Sequence, residues 1–236
     1  MKKVLFVSLM LLVLASGTVT PRQPPIVSHA PLTYKVQIDD HPMIRWAPII
    51  NDFNESIHIF VEEFLDKLPI PKGFYDGVEW YAKHEFHYQD FVREVDAVAN
   101  LTGIPFEKMM FLNLLYEFTT VKACTGIVLR NSEGKIIHGR NWDFMEYQYF
   151  GSMVSKVEYY KGGERLFTED TVAGSVFSIT GIRHGAFAIS LNARNPRGFS
   201  GTLLAVLMEN NIPALWLVRK TFIEETNFAD ANKRLR

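Results

Sequence analysis

The chain has 236 residues, 47% of them apolar, with 18 Phe, 9 Tyr and a formal net charge of -1. Such a length and composition describe one domain, or one and a half, with a real hydrophobic core, and exclude a disordered chain. The balanced charge, without a basic arm, excludes nucleic acid as a globally encoded partner, and 1 cysteine excludes a disulfide-stapled scaffold.

The first stretch, MKKVLFVSLMLLVLASG, carries two lysines, an apolar run over residues 4–15, and small residues at Ala15 and Gly17. This is the layout of a secretory signal peptide spanning residues 1–17, and the run is short of the ~20 apolar residues that span a bilayer. Two Asn-x-Ser/Thr patterns, at Asn54 and Asn100, fit glycosylation of an exported protein. A proline-rich lead, PRQPPIVSHAP, is expected to be extended, and LTYKVQI to be a strand with Leu32, Tyr34 and Val36 alternating. From Trp46 the period becomes helical through Ile57, Phe60, Val61, Phe64 and Leu65, until Pro69, Pro71 and Gly73 stop it. FHYQDFVREVDAVAN predicts a second helix, and PFEKMMFLNLLYEFTT, opened by Pro105, a third. A helix-rich part thus runs to about Thr120.

The stretch CTGIVLRNSEGKIIHGRNWDF follows, beginning at the single cysteine, Cys124. Two β-prone runs flank a turn at Asn131, Ser132, Glu133 and Gly134, so the spacing predicts a hairpin that returns Arg140 and Asp143 towards Cys124. A cysteine at the helix-to-strand boundary with a cation and a carboxylate nearby is a candidate nucleophile. A buried, idle cysteine is the plainer alternative, and a turn-closing salt bridge is the alternative for Arg140 and Asp143. His138 reads as a strand residue on the solvent face. His84 and His87, in HEFH, fall one residue short of a zinc-binding spacing and read as a hydrated helix face, so no metal or cofactor is expected.

Beyond the hairpin, FGSMVSKVEYY, GSVFSIT and GAFAISLN predict strands, with GGE and GIRHG as turns. TLLAVLMEN and IPALWLVRKTFIEETNFADANKRLR predict helices. Strands bracketed by helices favour a layered α+β domain over a Rossmann alternation. The last helix reaches Arg236 without a Gly or Pro terminator, and so few strands would leave sheet edges uncovered, which reads as a fragment or, as the alternative, a chain whose partner supplies the rest.

The CTGIVLRNSEGKIIHGRNWDF stretch closely resembles the start of the mature β-subunit in the family of acid ceramidase and N-acylethanolamine-hydrolysing acid amidase, which are N-terminal-nucleophile hydrolases. YKVQID, the later RW, and NIPALWLVRKTFIEETNFADA resemble further segments of that family. The resemblance implies an αββα-type layered fold, here incomplete at its C-terminus. Residues 18–123 would be an α-subunit-like region and 124–236 the first part of a catalytic β-subunit-like region. It also implies self-cleavage between Ala123 and Cys124, with Cys124 as nucleophile, Arg140 flanking the centre and Asp143 orienting the new amino terminus. The family's Asn-Glu-Arg run stands here as Asn192-Ala193-Arg194, so Asn192 and Arg194 are implied substrate-binding residues while the glutamate is replaced by alanine. Ceramides or N-acylethanolamines are the implied substrates, without a cofactor. The implied setting is a lysosome or the cell exterior, with membrane-surface contact and continued association of the two parts after cleavage. A non-catalytic lipid-binding fragment of the same fold is the alternative.

Overall fold

The computed structural model describes residues 31–118, 122–144, 147–192 and 211–236. The expected signal peptide, Arg194 and the TLLAVLMEN run lie outside these residues. Strand β1 (Leu32–Gln37) leads into helix α1 (Pro42–Glu63), which starts with a proline where its missing N–H costs nothing and with His41 Nδ1 accepting from Met43 N. Trp46, Ile49, Ile50, Phe53, Ile57, Phe60 and Val61 form its buried stripe.

A helix follows that the sequence reading did not anticipate, α2 (Lys72–His84). Pro71 and Gly73 were expected only to end the preceding element. α1 has already ended at Glu63, and Pro71, with the extended backbone of an N-cap (φ -62°, ψ 143°), launches α2, which buries Phe74, Val78, Tyr81 and Ala82 at helical spacing. Helix α3 (Gln89–Thr102) ends at Gly103, whose φ of 72° suits a left-handed cap, and α4 (Phe106–Phe118) follows Pro105.

The expected hairpin is present as β2 (Lys122–Arg130) and β3 (Ile136–Phe144), antiparallel, with Asn131 Oδ1 accepting from Glu133 N and Lys135 N in the turn. A short helix, α5 (Tyr147–Met153), takes the first part of the expected FGSMVSKVEYY strand, leaving β4 (Val154–Lys161). Strand β5 (Glu164–Val172) was hidden in the sequence because a carboxylate, Glu169, occupies an inward position between Phe167 and Thr171. GSVFSIT is not a strand until its last residue. Its amides are satisfied elsewhere: Val176 N donates to Asn113 Oδ1 and Ser178 N to Leu215 O. Strand β6 (Thr180–Arg183) instead runs into the expected GIRHG turn, which narrows to a bend carrying Gly185 at φ 74° before β7 (Phe187–Ser190). The C-terminal helix divides into α6 (Ala214–Glu224) and α7 (Phe228–Arg234), with Asn227 Oδ1 accepting from Asp230 N to cap the second.

The five-stranded sheet has the order β1-β4-β5-β6-β7, with β1 parallel to β4 and the other pairs antiparallel; β2 and β3 form a separate two-stranded sheet. Phe222 of α6 stacks on Phe167 and Phe187 and lies against Gly181, which places α6 on the face of the sheet bearing those residues. Thr180 and Ser190 point the opposite way because alternate strand residues face opposite sides. There they meet the β2–β3 hairpin. The architecture is therefore α+β, with helix, sheet and second sheet in succession, as expected of an αββα-type order.

The core also holds charge. Glu94 of α3 accepts from Arg45 Nη1 and Trp46 Nε1 of α1, and lies 3.5 Å from Arg219 Nη2 of α6. Arg219 is fully buried, donates to Val176 O at 2.5 Å, and sits over the rings of Trp46, Tyr159 and Trp216 at 5.0–5.4 Å. Burial works against its charge, but Glu94 and the neighbouring acidic groups outweigh it and hold its pKa above the ordinary value.

Candidate active site

Register on the hairpin decides which candidate residues share a face. Cys124 stands opposite Trp142, Gly126 opposite Arg140, and Val128 opposite His138, so these six belong to one side. Cys124 and Arg140 are half-buried. Arg140 is one step of two residues from the Cys124 level, about 7 Å along the strand, and His138 is two such steps away, about 13 Å. His138 is not on the solvent face, as the sequence reading had it. It is half-buried, with Nε2 3.0 Å from Ser190 Oγ, because the hairpin turns this face onto β7.

Asp143 lies opposite Ala123 on the other side of the hairpin, exposed, and its Oδ1 accepts from Asn141 Nδ2 at 2.5 Å. The ladder brings it to the level of the Ala123–Cys124 bond, on the face away from the thiol. Asn192 does come to the Cys124 face. A Cβ added at Gly126 would lie 3.4 Å from Asn192 Nδ2 and 3.2 Å from Ser190 Oγ, so the missing side chain is what admits both residues. Arg140 Nη1 donates to Thr180 Oγ1 and Nη2 to Leu191 O, each at 3.0 Å. Thr180 and Ser190 were not singled out from the sequence. They carry no motif, and only the approach of two sheets makes them neighbours of the hairpin.

Trp142, across the ladder from Cys124, stacks on Phe150 with centroids 5.6 Å apart. Both border an apolar cavity, open to solvent, whose walls include Met109, Leu112 and Leu115 of α4 and Phe177. Met109 and Leu115 of α4 belong to the buried core and line this cavity as well. The arrangement joins a thiol, a guanidinium and a carboxamide on one face to an apolar cavity at its edge. Among the described residues no group of three or more His, Cys, Asp and Glu side chains is placed to hold a metal ion. Nor is any described helix long and apolar enough to cross a membrane.

No family model matches the chain. It is 28% identical over 211 residues to the N-acylethanolamine-hydrolysing acid amidase of Caenorhabditis elegans, covering 85% of this chain and 59% of that protein. The amidase of the same name from Mus musculus is 28% identical over 229 residues, covering 96% and 62%. Acid ceramidase of Bos taurus is 25% identical over 234 residues, covering 86% and 56%. The solved structure of the Caenorhabditis elegans amidase aligns over 48% of each chain with 24% identity and a TM-score of 0.41. The chain spans less than two thirds of the length of these curated relatives. Over most of its own length it is similar to the acid ceramidases and N-acylethanolamine-hydrolysing acid amidases, the family that the stretch from Cys124 to Phe144 resembles.

Proposed function

We propose that the chain is a precursor of a fatty-amide hydrolase with Cys124 as its nucleophile. In maturation the Cys124 sulfur attacks the Ala123 carbonyl carbon, the Ala123–Cys124 amide breaks, and its nitrogen takes up the proton to become the α-amine of Cys124. Water then releases the thioester as the carboxylate of Ala123. In turnover the same sulfur attacks the amide carbonyl of the lipid while the α-amine accepts the thiol proton and passes it to the departing amine. Hydrolysis of the acyl-thioester frees a fatty acid and the thiol. Arg140 shares the thiol face and Asn192 approaches it, which supports roles for both beside the reacting carbonyl; Asp143, level with Ala123, is assigned to orienting the new amino terminus.

The observation that carries this reading is that Cys124 faces Trp142, a wall of the apolar cavity, which supports an acyl chain held in the cavity with its amide directed towards the Cys124 face. N-acylethanolamines and ceramides are the proposed substrates, by similarity to the relatives. Residues 18–123 and 124–236 are the proposed α- and β-like parts, delivered by a signal peptide over residues 1–17 to an acidic lumenal compartment or the exterior. The test is mass spectrometry of the complete protein held at about pH 4.5, followed by hydrolysis of an N-acylethanolamine and a ceramide. The reading expects a new chain beginning at Cys124 and turnover that Cys124→Ala abolishes. An intact junction in an active preparation, or lipid binding without hydrolysis that Cys124→Ala leaves unchanged, overturns it in favour of a lipid-binding protein.

A further inference from the structure

Among the described residues the hairpin carrying Cys124 shares no backbone ladder with the five-stranded sheet, and side-chain hydrogen bonds seat it there. Two residues of one face of β3, His138 and Arg140, meet two residues of the sheet that are themselves direct partners, Ser190 and Thr180. Pair meets pair. The base beneath them is stiff. Gly181, next to Thr180, would place a Cβ 2.8 Å from Thr168 O and 3.1 Å from the Phe222 ring, so β6 is pressed against β5 and α6 as only glycine allows. Leu191 N donates to Ile179 O at 2.9 Å, which continues the β6–β7 ladder and sets the carbonyl that receives Arg140 Nη2.

A guanidinium is planar, so two bonds to its terminal nitrogens fix the plane and the direction of Nε. Arg140 Nε is buried and has no hydrogen-bond partner among the described residues. One of the two anchors, Leu191 O, is backbone and survives any substitution. The other is the hydroxyl of Thr180.

We propose that Thr180 is a positioning residue that acts through Arg140, locking the guanidinium and with it the hairpin face that presents Cys124. The proposal rests on the reading of Cys124 as nucleophile given above. It is tested in the complete protein with Thr180→Val, which keeps the shape and removes the acceptor, and Thr180→Ser, which keeps the acceptor. The expected result for Thr180→Val is a loss of about tenfold in the rate of cutting before Cys124 and in kcat, with KM changed by less than about twofold, as for an interaction used in the reaction rather than in binding. Thr180→Ser should return both rates to within about threefold of the parent. Thermal unfolding and circular dichroism confirm that each variant is folded; if the valine variant is not, Thr180→Ala against Thr180→Ser decides the same point. Parental rates in Thr180→Val, a serine variant as slow as the valine one, or a loss confined to KM overturns the proposal while leaving the nucleophile reading intact. A parent that neither cuts nor hydrolyses overturns the nucleophile reading, and this proposal with it.

Discussion

Cys124 and Trp142 face each other across the β2–β3 ladder, and Trp142 in turn lies flat against Phe150, 14° from parallel. Trp142 and Phe150 both line an apolar cavity whose walls come from before Cys124, in α1 and α4, and from after it, through Met153, residues 172–175 and Phe177. Filling the cavity should therefore discriminate against long acyl chains without touching the thiol. Leu112→Trp, at a half-buried wall position, is expected to raise KM for a long-chain amide about tenfold and to change a short-chain amide much less, one or two lost methylene contacts being worth about 1–3 kcal/mol. Equal effects on both chain lengths would remove the cavity from the substrate path.

Arg140 and Asp143 should separate in their effects on stability. Arg140→Ala leaves Thr180 Oγ1 and Leu191 O without their donor and is expected to cost about 1–3 kcal/mol in urea unfolding as well as slowing maturation. Asp143 is exposed, so Asp143→Ala should cost less than about 0.5 kcal/mol yet still slow cutting at the Ala123–Cys124 bond. An Asp143→Ala variant that cuts at the parental rate would exclude that carboxylate from the chemistry.

The Glu94 cluster predicts that the two parts stay together once the chain is cut. Arg45, Trp46 and Glu94 come from before Cys124, and Arg219, Val176 O and Tyr159 from after it. Both parts should co-elute in size-exclusion chromatography after complete cutting. Glu94→Leu leaves two arginines without their shared carboxylate, and should destabilise the uncut protein by about 3–5 kcal/mol and let the cut parts separate. Co-elution at parental stability in that variant would show that apolar packing alone holds them.

Glu169 makes stability depend on pH. Burial pushes its carboxyl from 4.5 up to about 7, against the pull of Arg219 and of the Ser178 and Tyr159 hydroxyls. The folded chain therefore holds this proton more tightly than the unfolded one. Its contribution is complete below about pH 4.5 and is lost as pH rises through about 7, a change of about 3 kcal/mol across that window. Chemical denaturation at pH 4.5 and 7.5 should show the parent weaker at the higher pH, and Glu169→Gln should flatten the difference. A Glu169→Gln variant with the parental slope would place the titration elsewhere.

The two glycosylation patterns differ in setting. Asn100 is exposed on α3, with Nδ2 donating to Asp96 O, whereas Asn54 is half-buried in the middle of α1 with its Oδ1 fully covered. Asn100→Gln should remove the larger part of any endoglycosidase-sensitive shift in secreted protein, and Asn54→Gln little of it. The opposite pattern would show that Asn54 turns outward in the mature protein.

The amino-acid sequence by itself determined the periodic elements and the hairpin, since a β-prone run from Cys124 to Arg130, a four-residue turn and a returning run are local facts. It also carried the family resemblance, because that motif is contiguous. It did not reveal α2, which opens at a proline that reads locally only as a stop, or β5, where the inward Glu169 breaks the apolar alternation. Tertiary structure alone decided which side of the hairpin each candidate takes, because a strand side chain's neighbours depend on cross-strand register. It set Cys124, Arg140 and Asn192 on one face and Asp143 on the other, and it brought in Thr180 and Ser190 across 40 and 52 residues of chain. Such contacts arise only when one sheet is laid on another, and no local pattern encodes which residues will then meet.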